Sequence, residues 1–242
     1  RVREEIDSLG ERIVEIGDYL YRNPEIAYQE QKASELMATE LSKSGSSVTR
    51  GVCGLPTAFR AELKCRSERP NVAILAEMDA LPGLGHACGH NISAAAAVGA
   101  GIGLSRIAPQ LNGKISVFGT PAEEGVVDNA GGKVVMLDEF RNVDAAMMIH
   151  ASDMNAVICD SFNREALEIE FIGKAANAGN AEDSSKGINA LEAVMLTWSA
   201  INGFRLLLKD DTRVFGIITK GGTSPNIVPD HAATRLQIRV RD

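Results

Sequence analysis

The stretch DALPGLGHACGHN, residues 79–91, holds a carboxylate, a thiol and two imidazoles in one run punctuated by Pro82, Gly83, Gly85 and Gly89. Glycine and proline break helix and strand alike. The backbone therefore turns sharply and presents Asp79, His86, Cys88 and His90 from a constrained loop. Cys88 and His90 share a C-x-H spacing, and in an irregular loop residues so spaced can point the same way, bringing a thiolate and an imidazole to one metal ion. Two ligands do not complete a site, so the others must come from elsewhere in the chain.

On either side of this loop the hydrophobic pattern is that of a layered α/β fold. TAFRAEL (57–63) alternates, and VAILA (72–76) is a continuous apolar run of the kind a strand buried on both faces requires. The segment from Asn91 to Ile107 is rich in Ala and Gly, which suits a helix packed closely against a sheet. KISVFG (114–119) predicts a strand, TPAEEG (120–125) a loop, GKVVMLDEF (132–140) a helix, and VDAAMMI (143–149) a strand ending at His150. Strand and helix thus alternate, implying a mostly parallel sheet flanked by helices. Asp79, the Glu123–Glu124 pair and His150 each fall just past the carboxyl end of a different predicted strand. Parallel strands bring those ends to one edge, where open α/β sheets bind ligands.

Ahead of this core, Ile6, Leu9, Ile13, Ile16 and Leu20 recur at helical spacing, predicting one amphipathic helix that Asn23-Pro24 ends. Ala33, Leu36, Met37 and Leu41 predict a second, before Gly45. Beyond about residue 164 the character shifts. ALEIEFIG (166–173), RVFGIIT (213–219) and TRLQIRV (234–240) read as one-sided strands, and INALEAVMLTWSAINGFRLLL (188–208) as a long helix. This β-α-β-β order implies a smaller α+β domain, so the expected division is 1–163 and 164–242.

The totals narrow the function. A formal net charge of -7 with no Lys/Arg cluster argues against nucleic acid, and no run reaches the ~20 apolar residues of a membrane span. The opening RVREEIDSLGERI is a charged helix and not a signal peptide, so a cytoplasmic protein is expected. Cys53, Cys65, Cys88 and Cys159 are irregularly spaced, which speaks against a disulfide framework. The chain begins without Met and stops at Asp242 straight after a strand, the pattern expected of a fragment.

Each candidate residue also has a plain reading. A lone Cys is ordinarily a small apolar residue, but the neighbours of Cys88 are His and Gly. Glu123–Glu124 alone would be a solvated pair. Facing Cys88 and His90, one carboxylate can ligate metal while the other takes a proton from water. His150 is either a hydrogen-bonded core residue or a ligand. Asp79 either caps a turn or supports a metal-bound imidazole. His86 is expected behind the ligands, and His231 on the surface. Two further hypotheses stand beside a metal-dependent amidohydrolase: a cysteine hydrolase using Cys88 with a His base, and a truncated or diverged chain that binds metal or a partner without turnover.

Together, AEMDALPGLGHACGHN (76–91), GTPAEEG (119–125), MMIHAS (147–152), GKAANAG (173–179), KGINALEA (186–193) and GGTSPNIVPD (221–230) resemble metallopeptidase family M20. The resemblance is to its amidohydrolase branch of aminoacylases, hippurate hydrolases, p-aminobenzoyl-glutamate hydrolases and β-alanyl-lysine dipeptidases. It implies a zinc-peptidase-like catalytic domain and a lid that dimerises. By the same resemblance Cys88, His90, Glu124 and His150 are ligands of two divalent ions, zinc or manganese, Glu123 is the general base and acid, and Asp79 supports them. The implied substrate is an N-acyl amino acid, an aminobenzoyl-glutamate-like compound or a dipeptide, touched by Asn226. Asn177 stands where the family has a lid His, and its uncharged amide is expected to weaken oxyanion stabilisation by ~3 kcal/mol. The family also supplies a last His ligand after the lid, a part this chain does not contain.

Overall fold

The computed structural model describes residues 2–127, 129–158 and 162–241, and the chain divides into two compact units, Arg1–Asn155 and Ala156–Asp242. In the first, helices α1 (Val2–Ser8), α2 (Gly10–Arg22) and α3 (Gln31–Lys43) precede strands β1 (Ser47–Arg50), β2 (Phe59–Glu62) and β3 (Asn71–Glu77). Helix α4 (His90–Ser105) leads to β4 (Lys114–Thr120), the helical turns α5 (Gly132–Val135) and α6 (Leu137–Phe140), and β5 (Ala145–Met147). The strands form one sheet in the order β1, β2, β4, β3, β5.

β3 runs parallel to both β4 and β5, while β2 is antiparallel to β1 and β4, so the sheet is mixed. Among the described residues no helix lies between β2 and β3, and a parallel β2 would need that crossover. The apolar run read as a strand buried on both faces is β3, between its two parallel neighbours. β5 lies at the edge, and Ala145, Ala146 and Met147 are all exposed.

The helix expected over residues 6–20 is two helices. Ser8 Oγ donates to the Glu5 carbonyl, and Gly10 lowers helix propensity just beyond, so the chain breaks at Leu9. α2 buries Ile16 and Leu20, α3 buries Met37 and Leu41, and all four share a core with Val98 of α4 and Val117 of β4. A Cβ on Gly101 would lie 2.6 Å from Leu41 and 2.9 Å from Val117, so the Gly-rich composition of α4 is what lets it lie this close to sheet and helix. The helix expected over 132–140 is interrupted at Met136, whose side chain is wholly buried with Phe118 and Ala73.

The second unit has strand β6 (Asn163–Ile172), a short turn α7 (Ala181–Ser184), helix α8 (Ala190–Phe204) and strands β7 (Arg213–Lys220) and β8 (His231–Val240). Its antiparallel sheet has the order β6, β8, β7. Asn189 Oδ1 caps α8 by accepting from the N–H groups of Leu191 and Glu192, and Ala190 and Val194 pack on Ala232. Trp198 Nε1 donates to Thr234 Oγ1 at 3.0 Å, fixing helix to sheet. No described helix is long and apolar enough to cross a membrane.

Candidate metal centre

Because β4, β3 and β5 are parallel neighbours, their carboxyl ends share one edge. Glu77 closes β3 and Asp79 follows it, while Glu123 and Glu124 come after β4 and His150 after β5. The glycine-rich loop then delivers His90 as the first residue of α4, behind Gly89 at φ 80°. A Cβ on Gly89 would stand 2.6 Å from the Cβ of Ala151, so glycine here lets the His150 segment close onto the loop. The rings of His90 and His150 meet edge to face with centroids 5.5 Å apart.

His90 is only 1% exposed. Its Nδ1 lies 2.9 Å from the main-chain oxygen of Asp79 and 3.3 Å from Asp79 Oδ1, which turns Nε2 toward Glu77 Oε2 at 3.3 Å and Glu123 Oε2 at 3.9 Å. Burial alone would lower the His90 pKa; the hydrogen bond to Asp79 and the charges of Glu77 and Asp79 outweigh it and raise the group to about 9. Acids that draw a proton onto Nε2 will also draw a cation there. His150 is arranged alike, with Nδ1 2.8 Å from the Ala151 carbonyl and Nε2 3.8 Å from Glu77 Oε2.

Asp79 is buried, and its Oδ2 accepts from the Glu124 N–H at 2.9 Å. Burial would raise its pKa, but the His90 and Glu124 hydrogen bonds prevail and hold it below the usual range. Glu123 is pushed up, first by burial and then by the neighbouring charge of Glu77. The Cys88 thiol is pushed up to about 11, first by Glu124, then by burial and by the charges of the surrounding acids. The neighbouring acids disfavour the thiolate that a cysteine hydrolase would need.

Among the described residues two groups of donors come within 4.8 Å of one another: Glu77, His90 and His150, and His90, Glu123 and Glu124. Cys88 falls in neither group. Among the described residues, His90 Nε2, Glu77 Oε2 and Glu124 Oε1 are buried without a hydrogen-bond partner. Buried polar atoms are normally satisfied, and such a convergence of unmet nitrogen and oxygen donors fits a divalent cation.

The remaining candidates fall outside these groups. His86 is buried, with its pKa lowered chiefly by that burial. His231, expected on the surface, is half-buried, with Lys220 Nζ 2.7 Å from its Nδ1 and Glu170 Oε2 3.5 Å from its Nε2. In the second unit Asn177 and Asn226 are exposed and adjacent: Ala178 N donates to the Asn226 carbonyl at 2.9 Å, and Asn177 bridges to Ile227. Cys53, Cys65 and Cys88 are free thiols, and Cys159 lies outside the described residues. Sequence reasoning did not single out Glu77 or Lys133, whose Nζ pairs with Glu77 Oε1. The available signal was a charge closing an otherwise apolar strand, two positions before Asp79.

The comparisons with known proteins accord with this arrangement. The chain is 36% identical to Xaa-Arg dipeptidase of Mus musculus over 96% of its own length and 56% of that protein's. To a subunit of the p-aminobenzoyl-glutamate hydrolase of Escherichia coli (strain K12) it is 31% identical, over 98% of this chain and 53% of the relative. It therefore spans about half the length of the curated relatives it matches. The crystal structure of an aminobenzoyl-glutamate utilization protein from Klebsiella pneumoniae has the same fold, with a TM-score of 0.75 at 22% identity over 99% of this chain and 69% of that one. Residues 73–205, which include the strand-end acids, both site histidines and all of α8, match peptidase family M20/M25/M40, and the chain belongs to that family.

Proposed function

We propose that the chain carries a metal-dependent amidohydrolase site that cleaves a dipeptide or an N-acyl amino acid. The observation that carries this reading is the buried set of unpaired donors where three parallel strands end. The relationship to Xaa-Arg dipeptidase favours a dipeptide, with an aminobenzoyl-glutamate-like amide next. Cys88, His90, Glu124 and His150 would hold two divalent ions, zinc by the mixed thiolate, imidazole and carboxylate donors and manganese as the alternative. Bound there, such ions polarise a carbonyl and make water more acidic.

The chain's own groups then divide the labour. Glu123, half-exposed and with its pKa raised, takes a proton from the attacking water and passes it to the leaving amine. Asp79 fixes the orientation of the His90 ring through Nδ1. Asn177 and Asn226 contact substrate from the second unit, which serves as the lid and joins two copies of the chain. A cytoplasmic setting goes with the three free thiols.

The test is metal content per purified chain, paired with Glu123→Gln assayed on a panel of N-acyl amino acids and dipeptides. About two zinc or manganese ions, with hydrolysis abolished by the substitution, are expected. No bound metal would sink the reading. The second reading, a metal-binding chain without turnover, is favoured by Asn177 where the resemblance implies a lid His. Full metal content with no hydrolysis of any panel member would select it.

A further inference from the structure

One deeply buried acid at the strand ends is not used by the proposed ligand set. The Glu77 side chain is 2% exposed. Its Oε1 is ion-paired with Lys133, whereas Oε2 has no hydrogen-bond partner among the described residues and stands 3.3 Å from His90 Nε2 and 3.8 Å from His150 Nε2. On both imidazoles Nδ1 is engaged by a backbone carbonyl. Two ring nitrogens and one carboxylate oxygen therefore converge on a single point. We propose that Glu77 is a metal ligand that completes, with His90 and His150, a three-residue site where β3 and β5 end.

Lone-pair arithmetic supports the assignment. A neutral imidazole with its Nδ1 proton donated to a carbonyl has one lone pair left, so His90 serves one ion only. The Glu77–His150 group and the Glu123–Glu124 group cannot both take it. Giving His90 to the first leaves Glu124 and, as proposed above, Cys88 for the second ion. Two imidazoles and a carboxylate are a usual three-ligand set for zinc with one position open. Lys133 occupies Oε1, so Glu77 ligates through Oε2 alone, and the ammonium offsets the charge of an acid that is otherwise expensive to bury.

The inference rests on the metal reading above, and its test separates the two. Zn²⁺ uptake by the 242-residue chain is measured by calorimetry, with Co²⁺ as a spectroscopic probe of coordination. Glu77→Gln keeps the shape and removes the charge. It is expected to lose one ion per chain, or to bind it about a hundredfold more weakly, with the visible Co²⁺ bands shifted and altered in intensity. Should Lys133, left without its partner, unfold that variant, Glu77→Gln combined with Lys133→Met removes both charges and carries the same expectation. Unchanged stoichiometry and unchanged Co²⁺ bands in the folded variant overturn the inference. If His150→Ala loses an ion that Glu77→Gln retains, the metal reading stands and Glu77 is not a ligand. If the unmutated chain takes up neither ion, both fall.

Discussion

Gly89 sets how near the two imidazoles can come. Its φ of 80° is left-handed, and an added methyl would stand 2.6 Å from Ala151, next to His150. Gly89→Ala is expected to cost about 2 kcal/mol from conformation alone, and to weaken metal uptake by pushing the His150 segment away. Gly85 is the internal control: its φ of 64° carries the same conformational penalty, but its nearest neighbour is Pro24 at 3.9 Å. Gly85→Ala should lower the melting temperature and leave the ions in place. Equal metal affinity in the two variants would show that the close approach at Ala151 does not matter. At this scale the site was largely legible, because Gly and Pro mark a turn and because Asp79, Glu123, Glu124 and His150 all follow strand ends. Glu77 was not. A charge at the end of an apolar run reads as the point where a strand meets water, and only the fold shows that end to be buried.

Between elements, one buried acid ties three segments together. Glu30, wholly buried just before α3, accepts from the N–H groups of Tyr28 and Ala122 through Oε1 and from Thr57 Oγ1 through Oε2, each at 2.9 Å. Ala122 sits at φ 55° immediately before Glu123, so this bond holds the loop that carries the proposed base. Burial outweighs these bonds and raises the Glu30 pKa. An acid whose folded pKa exceeds its unfolded value of about 4.3 binds its proton more tightly when folded, so stability falls as pH climbs from that value through the folded one. Glu30→Gln keeps an acceptor for both N–H groups and never ionises. Near pH 4 it should therefore match the unmutated chain in urea denaturation. Toward pH 8 it should be the more stable, by about 1.4 kcal/mol for every tenfold by which folding tightens the hold of Glu30 on its proton. A difference that does not change with pH would show Glu30 to be unperturbed. The strands β2, β3, β4, β6, β7 and β8 were legible because hydrophobic period survives in any context. The break at Leu9, the antiparallel β2 and the short β1 were not, since they depend on a local hydroxyl bond, on what connects two strands, and on four residues too few to show a period.

At the scale of the whole molecule, the second unit leaves much apolar surface in water. Along and just past α8, Met195 is 56% exposed, Leu196 69%, Phe204 57% and Leu206 88%, while the inner face of the helix is sealed on the sheet by Ala190 and Val194. A helix apolar on both sides has one face to give to another surface. The proposed lid meets this need with a second copy of the chain, and a stable pair needs about 800 Å² from each copy. Light scattering should then find twice the 25.8 kDa of a single chain. Leu196→Glu puts a charge in the middle of the outer face and should return the protein to single chains, because an unpaired carboxylate in an apolar interface costs several kcal/mol. Ions held at the strand ends of the first unit depend on none of these residues, so zinc content per chain should not change. If Leu196→Glu remains paired, the copies meet elsewhere. If the unmutated chain is single at every concentration, the lid joins no partner of its own kind.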